Sequence, residues 1–307
     1  MRRSKADQDS HLGPEFPLSE LIPRFKSEWA ARRHDNDGPV TRLTSFNLLV
    51  VSTGTNEKQV EAVLKGLLKS HPARVIWTKI LPERNWEDST ARLHLGCRCA
   101  DSKDSLQVCS EQIQICCGDD PERLASLILS LIHGGLATHL LWWKSGSTGN
   151  PLFRRLSDRC QTVLVEPESW LDFARDLPEL WEDRNLLEHA FYPLIWHQLT
   201  HARQMVASAY NEGNIELALP KQTNARRPDS DLLKTWLEVQ IPQLGLESSG
   251  ARVVATAEYP TPTVKWNGKS EQLELQTPLE AIRIALDRPG RERVFEKIVK
   301  KLGEKDL

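Results

Sequence analysis

Residues 45–77 hold the pattern that most limits what this chain can fold into. Ser45 to Val51 is a short, almost unbroken apolar run (Phe46, Leu48, Leu49, Val50, Val51), closed by the turn residues Ser52-Thr53-Gly54-Thr55-Asn56. Val60, Val63, Leu64, Leu67 and Leu68 then recur at helical spacing, and Arg74-Val75-Ile76-Trp77 is a second strand-like run. A strand apolar on both faces has to be covered on both faces, and a helix between two such strands predicts a parallel βαβ unit.

The following residues extend that unit. Arg92 to Cys99 and Glu111 to Cys117 alternate apolar and polar around the turn-rich Asp101-Ser102-Lys103-Asp104-Ser105, which predicts an antiparallel hairpin with a longish loop. Pro121 opens a helix running to about Ile132. His139 to Trp143 reads as a strand, Pro151 to Leu156 as a short helix and Thr162 to Val165 as a last strand. The fold class is therefore an α/β N-terminal domain with a mixed sheet, over residues 44–168. Before it, residues 1–16 are polar and read as disordered. Leu18, Leu21, Ile22, Phe25 and Trp29 then form one helical face, which His34-Asp35-Asn36-Asp37-Gly38-Pro39 ends, so residues 1–43 are a disordered start and an N-terminal helix.

Glu166-Pro167-Glu168-Ser169 marks a boundary, and residues 169–307 read as a smaller α+β C-terminal domain. Its main feature is one long helix from about Pro193 to Tyr210, striped by Ile195, Leu199, Ala202, Val206 and Ala209. Lys221 to Asp229 is a polar loop and Leu232 to Ile241 a helix. Val253–Glu258, Thr263–Trp266 and Gln272–Leu275 are expected to form a meander, turning the second time at Asn267-Gly268. Pro278–Ala285 and Arg291–Leu302 are closing helices.

Charge removes some function classes. Lys and Arg number 40 against 42 Asp and Glu, a net charge of −2, so neither a broad nucleic-acid-binding face nor a polybasic membrane surface is implied. No apolar run reaches the roughly 18 residues of a spanning helix. Met1-Arg2-Arg3-Ser4-Lys5 is not followed by the apolar core of an export signal, and six cysteines are too few for a disulfide scaffold, so a cytoplasmic, reduced protein is expected.

Motifs for catalysis are scarce. Ser145-Gly146-Ser147-Thr148-Gly149-Asn150 lacks the Lys of a phosphate loop and reads as a βα loop, and Gly54 stands alone where a dinucleotide site needs G-x-G-x-x-G, so no cofactor is expected. His197-Gln198-Leu199-Thr200-His201 sets two imidazoles at i and i+4, a spacing that suits zinc, but Gln198 stands where a metalloprotease has Glu. The pair reads as part of a polar face, solvated or turned to a partner, with no metal. Cys97 and Cys99 share one strand face, and Cys116-Cys117 is a vicinal pair on the neighbouring strand. They read as packing, with a thiol–disulfide switch as the alternative.

Five segments in order resemble one known family. They are Asn47-Leu48-Leu49-Val50-Val51, His71-Pro72-Ala73-Arg74-Val75-Ile76, Cys109-Ser110-Glu111-Gln112, Leu141-Trp142-Trp143 with Pro151-Leu152-Phe153, and Trp196-x-x-Leu199-Thr200-x-x-Arg203. Together they are similar to the glucose-6-phosphate dehydrogenase assembly protein family, OpcA. His201-Ala202 stands where the family has Pro-Trp, Gln204 where it has Glu, and Ser110 where it has a second Cys. The resemblance implies a protein that is not an enzyme: an assembly factor and allosteric activator of glucose-6-phosphate dehydrogenase, at the entry to the oxidative pentose phosphate pathway. It also implies partner-binding positions at Trp142, Trp143, Trp196, Thr200 and Arg203; Arg203, at the border of the helix stripe, can hold either a partner's carboxylate or one within the chain that ties the two domains together. The alternative is an enzyme or sensor that binds a phosphorylated small molecule at the strand ends near Ser52–Asn56 and Lys144–Asn150.

Overall fold

The computed structural model describes residues 13–34, 40–41, 44–99, 107–144, 149–166, 173–182, 189–220, 228–241, 250–256 and 259–304. The breakers at 35–39, the hairpin loop at 101–105, loop residues 145–148, the boundary at 167–169 and polar-loop residues 221–227 lie outside them, as do residues 1–12 of the polar start. The chain divides into two compact units, one of residues 1–144 and 149–163, the other of 145–148 and 164–307.

The first unit holds β1 (Phe16–Pro17), α1 (Leu21–His34), β2 (Val40–Thr41), β3 (Phe46–Thr53), α2 (Glu57–Leu67), β4 (Ala73–Ile80), β5 (Thr90–Cys99), β6 (Gln107–Cys117), α3 (Pro121–Leu131), β7 (Ala137–Trp143) and α4 (Pro151–Ser157). β8 (Thr162–Val165) starts in it. Its sheet runs β1-β5-β6-β4-β3-β7-β8, with β2 pairing β6. β6, β4, β3 and β7 are mutually parallel, while β1–β5 and β5–β6 are antiparallel. The expected βαβ unit and hairpin are both present in this mixed sheet.

The central strand shows why the apolar run folds as it does. Every residue from Phe46 to Ser52 is buried. Asn47 is tolerated among them because its side chain is saturated. Nδ2 donates to the His133 carbonyl and Thr138 Oγ1, each at 3.1 Å, and Oδ1 accepts the His133 N–H at 2.9 Å. Val60, Val63, Leu64 and Leu67 of α2 and Leu124, Ala125, Ile128 and Leu131 of α3 are the buried sides of those helices. Asp120 caps α3 by accepting the Arg123 N–H, with Pro121 at the first helical position. α1 begins only at Leu21, after a short 3-10 turn, and packs Phe25 and Trp29 on Leu93 and Leu95 of β5; Ile22 is left at 38% exposed.

Two of the sequence motifs turn out to be one structural object. The β4–β6 register sets Arg74 opposite Glu111, and the Arg74 guanidinium is ion-paired to the Glu111 carboxylate inside the sheet. Arg74 Nη1 also donates to the Leu131 carbonyl at 2.9 Å, and the Phe25 ring lies 5.3 Å from the guanidinium.

The second unit holds α5 (Phe173–Glu182), β9 (Ala190–Pro193), α6 (Leu194–Gln198), α7 (Thr200–Glu212), β10 (Ile215–Pro220), α8 (Pro228–Gln240), β11 (Ala251–Thr256), β12 (Thr263–Trp266), β13 (Lys269–Gln272), α9 (Pro278–Asp287) and α10 (Arg293–Glu304). Its four-stranded sheet runs β11-β10-β12-β13. The expected meander is corrected here. β11 pairs with β10, in parallel, and β10, which the sequence pattern does not announce, lies between β11 and β12. The β12–β13 hairpin does turn at Asn267-Gly268, both at positive φ (46° and 76°), the signature of a type I′ turn, so the last strand is 269–272 and not 272–275.

The single long helix is corrected as well. It breaks at Leu199, between α6 and α7. The Gln198 carbonyl accepts the Gln276 N–H at 3.0 Å while Gln198 Nε2 donates to the Gln276 carbonyl at 3.1 Å. This two-way bond to a segment far along the chain holds the break. The stripe survives it, since Ile195, Leu199, Ala202, Val206 and Ala209 are all buried.

Candidate functional site

Tyr192, in β9, anchors the most developed site in the second unit. Its hydroxyl accepts the Glu292 N–H at 2.7 Å and donates to the Gly290 carbonyl, fastening the turn between α9 and α10. Burial pushes this phenol up to about 12, so it remains protonated. Trp196, on α6, is fully buried, and its Nε1–H donates to Glu292 Oε2 at 3.0 Å. Behind it stand Phe295 at 5.0 Å between ring centroids, then Trp181 at 5.6 Å from Phe295.

Arg203 of α7 lies on the Trp196 ring, its guanidinium carbon 3.5 Å from the ring centroid, a stacked cation–π contact. Nη2 donates to the Trp196 carbonyl at 3.3 Å and to Thr200 Oγ1 at 3.2 Å. Nε is shut off from solvent with no acceptor. Burial, offset in part by Glu292, draws the guanidinium down to about 10, and it stays charged at neutral pH. Thr200, Arg203, Trp236, Ile284, Arg288 and Pro289 are among the residues lining a cavity of about 630 Å³. Arg291 on its edge is paired with Glu296 at 2.7 Å.

The two histidines separate. His201 is exposed, whereas His197 is 2% exposed, edge-on to Tyr192 at 4.8 Å, with neither ring nitrogen hydrogen-bonded. Burial, helped by the Arg203 charge, pulls His197 down to about 3, so it is a neutral core residue. The expectation that both belong to a polar face is corrected for His197: it faces the aromatic core. Among the described residues no group of three or more His, Cys, Asp or Glu is placed to hold a metal.

The remaining site positions lie in the first unit. Trp142 is fully buried, edge-on to Phe153 at 5.0 Å, and Trp143 is 3% exposed, so both indoles serve packing. Cys116 and Cys117 are buried free thiols, Cys117 pushed up to about 12 and Cys116 also raised, chiefly by burial, so both stay protonated and are poor nucleophiles. For Cys97 and Cys99 the backbone alone is described. The β5–β6 register sets Cys97 opposite Cys109 and Cys116 opposite Thr90. Seven residues of strand, roughly 24 Å, separate Thr90 from Cys97, far beyond the span of a disulfide. The four cysteines are not one cluster.

The strand ends are occupied by the chain itself. Asn56 Nδ2 donates to the Trp143 carbonyl at 2.8 Å, bridging the ends of β3 and β7 where the order of the sheet reverses. Lys79 is paired with Glu57 and Lys144 with Asp119, each at 2.9 Å. A second cavity in the second unit, about 790 Å³, lies on the β10–β13 sheet. Its charges are internally matched: Glu216 pairs with Arg252 and Lys265, and Lys269 with Glu212.

Sequence reasoning found Trp196, Thr200 and Arg203 through a motif, but not Tyr192, Arg288 or Glu292. The only local sign was the Pro289-Gly290 turn.

The first unit is a mixed-sheet α/β layer, and the second carries a half-buried cation, Arg203, on the wall of a cleft. Residues 65–181 match the family described as glucose-6-phosphate dehydrogenase subunit N-terminal domain. A putative OxPP cycle protein OpcA from Nostoc punctiforme is 29% identical over 220 residues, covering 69% of this chain and 44% of that protein. The chain thus spans less than half the length of this curated relative. With the five motifs, these findings make the chain similar to the glucose-6-phosphate dehydrogenase assembly family, OpcA, most directly over residues 65–181. The WlbA (WbpB) dehydrogenase of Thermus thermophilus, solved with NAD and UDP-GlcNAcA, aligns with a TM-score of 0.48 and 12% identity over 85% of this chain and 95% of that one.

Proposed function

We propose that this protein is a non-enzymatic assembly factor and allosteric activator of glucose-6-phosphate dehydrogenase, acting by protein–protein binding in the cytoplasm on the oxidative pentose phosphate pathway. The match of residues 65–181 to the assembly family's N-terminal domain carries this reading. Activation of this kind requires only that the protein bind the active form of the enzyme better than the inactive one. A difference of about 1–3 kcal/mol gives a shift of roughly 5–150-fold. In this reading the first unit acts as an α/β domain and the second as an α+β domain. The cleft of Thr200 and Arg203 belongs to the contact region, its exposed rim at Gln204 meeting the partner. Trp142, Trp143 and Trp196, being buried, hold these surfaces in shape and do not touch the partner.

The experiment is direct. The purified protein is mixed with glucose-6-phosphate dehydrogenase from the same source, and complex formation is followed by size-exclusion chromatography and kcat/KM with and without the protein. A co-eluting complex with raised kcat/KM is expected. No complex and unchanged kinetics would refute the reading, as would turnover of a sugar phosphate by the protein alone.

A further inference from the structure

Arg203 is a half-buried cation with no ion pair among the described residues, its charge favoured at a distance by Glu292. One nitrogen is sealed off without an acceptor, and its hydrogen bonds among the described residues run from Nη2 to two neutral oxygens. Glu292, the acid nearest it in the cavity wall, spends Oε2 on the Trp196 N–H. Buried charges are ordinarily paired, because desolvation without compensation is costly. A cation left in this state on a cavity wall leaves room for an anion from outside the chain.

The surroundings narrow the choice of anion. Among the described residues no acceptor is placed on Arg203 Nη1. Thr200 Oγ1 already accepts from Nη2, so its own hydrogen is available to donate into the cavity. Arg288, exposed where α9 ends, lines the same cavity and has no acidic partner among the described residues. Two guanidinium groups and a hydroxyl suit the several oxygens and double charge of a phosphate better than a single carboxylate. Trp236, Ile284 and Pro289 add an apolar wall, and about 630 Å³ falls in the roughly 300–1,000 Å³ range of small-molecule pockets, well beyond a bare phosphate. The free oxygen of Glu292 can accept from a hydroxyl on the ligand body. We propose that the cleft of Arg203, Thr200 and Arg288 binds the phosphate monoester of a small polyhydroxylated molecule, with Arg203, Arg288 and Thr200 on the phosphate and Glu292 on a ligand hydroxyl. This site does not depend on the partner reading above.

The test uses the whole protein, titrated by calorimetry at constant ionic strength with inorganic phosphate, glycerol 3-phosphate and acetate. Saturable binding is expected, tighter for glycerol 3-phosphate than for phosphate and weakest for acetate. Arg288→Ala, on the surface and neutral to the fold, is expected to weaken phosphate binding about tenfold, and Arg203→Lys, which keeps the charge but loses the planar fork, by a similar factor. Unchanged melting of Arg288→Ala keeps the result clear of unfolding. Absence of binding by both phosphate compounds overturns the proposal, as does acetate binding equally well or phosphate affinity unmoved in both variants. Variants that bind phosphate normally but lose affinity for the dehydrogenase also overturn it, and give the cation to a partner's carboxylate instead.

Discussion

Replacing Glu111 by Leu leaves the Arg74 guanidinium stranded inside the sheet. Glu111 is 0% and Arg74 6% exposed, so water cannot take over the lost contact. The remaining bond from Arg74 Nη1 to the Leu131 carbonyl satisfies one corner of the guanidinium and none of its charge. Breaking one side of such a pair costs about 3–5 kcal/mol, against a total stability of about 5–15 kcal/mol for a typical domain. At a urea slope of about 2 kcal/mol/M, the midpoint of the first unit's transition should fall by about 1.5–2.5 M. Tryptophan fluorescence is a suitable probe, since Trp77, Trp142 and Trp143 are all buried in that unit. The double replacement Arg74→Met with Glu111→Leu removes both charges. It should recover most or all of the loss, because an apolar pair of similar volume avoids the desolvation of two ions. A single Glu111→Leu variant within about 0.5 kcal/mol of wild type would refute the reasoning. So would a double variant no better than the single.

Other outcomes follow from the same geometry. His197 has a folded pKa of about 3, below its ordinary value of 6.5, so the unfolded chain takes up the proton first. Its contribution is present above pH 6.5 and lost as pH falls toward 3. Between pH 6.5 and 4.5, wild type should lose about 2–3 kcal/mol relative to His197→Phe in parallel urea titrations, and parallel curves would refute this. Thr277 closes a capping box on α9, its Oγ1 accepting the Glu280 N–H while Glu280 Oε2 accepts the Thr277 N–H at 2.9 Å. Thr277→Ala should cost about 1 kcal/mol by urea denaturation. Cys116 and Cys117 should resist Ellman's reagent in the folded protein and react after denaturation; rapid labelling of either in the native state would show that burial does not protect them.

The legible part of this molecule is the part written locally. The parallel strands at 46–53 and 73–80 announce themselves because a strand buried on both faces must be mostly apolar, its few polar residues satisfied inside the sheet as Asn47 and Arg74 are. The Asn267-Gly268 turn does so because few other pairs accept two positive φ values. What stayed hidden is decided at a distance. The break at Leu199 depends on Gln276, and nothing in the stripe from Ile195 to Ala209 signals it. β10 is six residues ending in Pro220 and carrying Glu216, too short and too mixed to declare a strand without its neighbours. Trp196, Thr200 and Arg203 could be picked out by motif, yet their roles rest on Tyr192 and Glu292, which the sequence separates by 100 residues.

That separation also sets when the cleft can exist. A growing chain that has reached Asp287 already carries Tyr192, Trp196 and Arg203. It still lacks the oxygen that receives the indole N–H and the peptide that Tyr192 fastens. One phenolic oxygen therefore joins an early part of the second unit to a late one, and the pocket is assembled only once synthesis has passed residue 292. A nascent chain shorter than that has no cleft to offer, so whatever occupies it meets a finished unit and cannot guide the folding of an unfinished one.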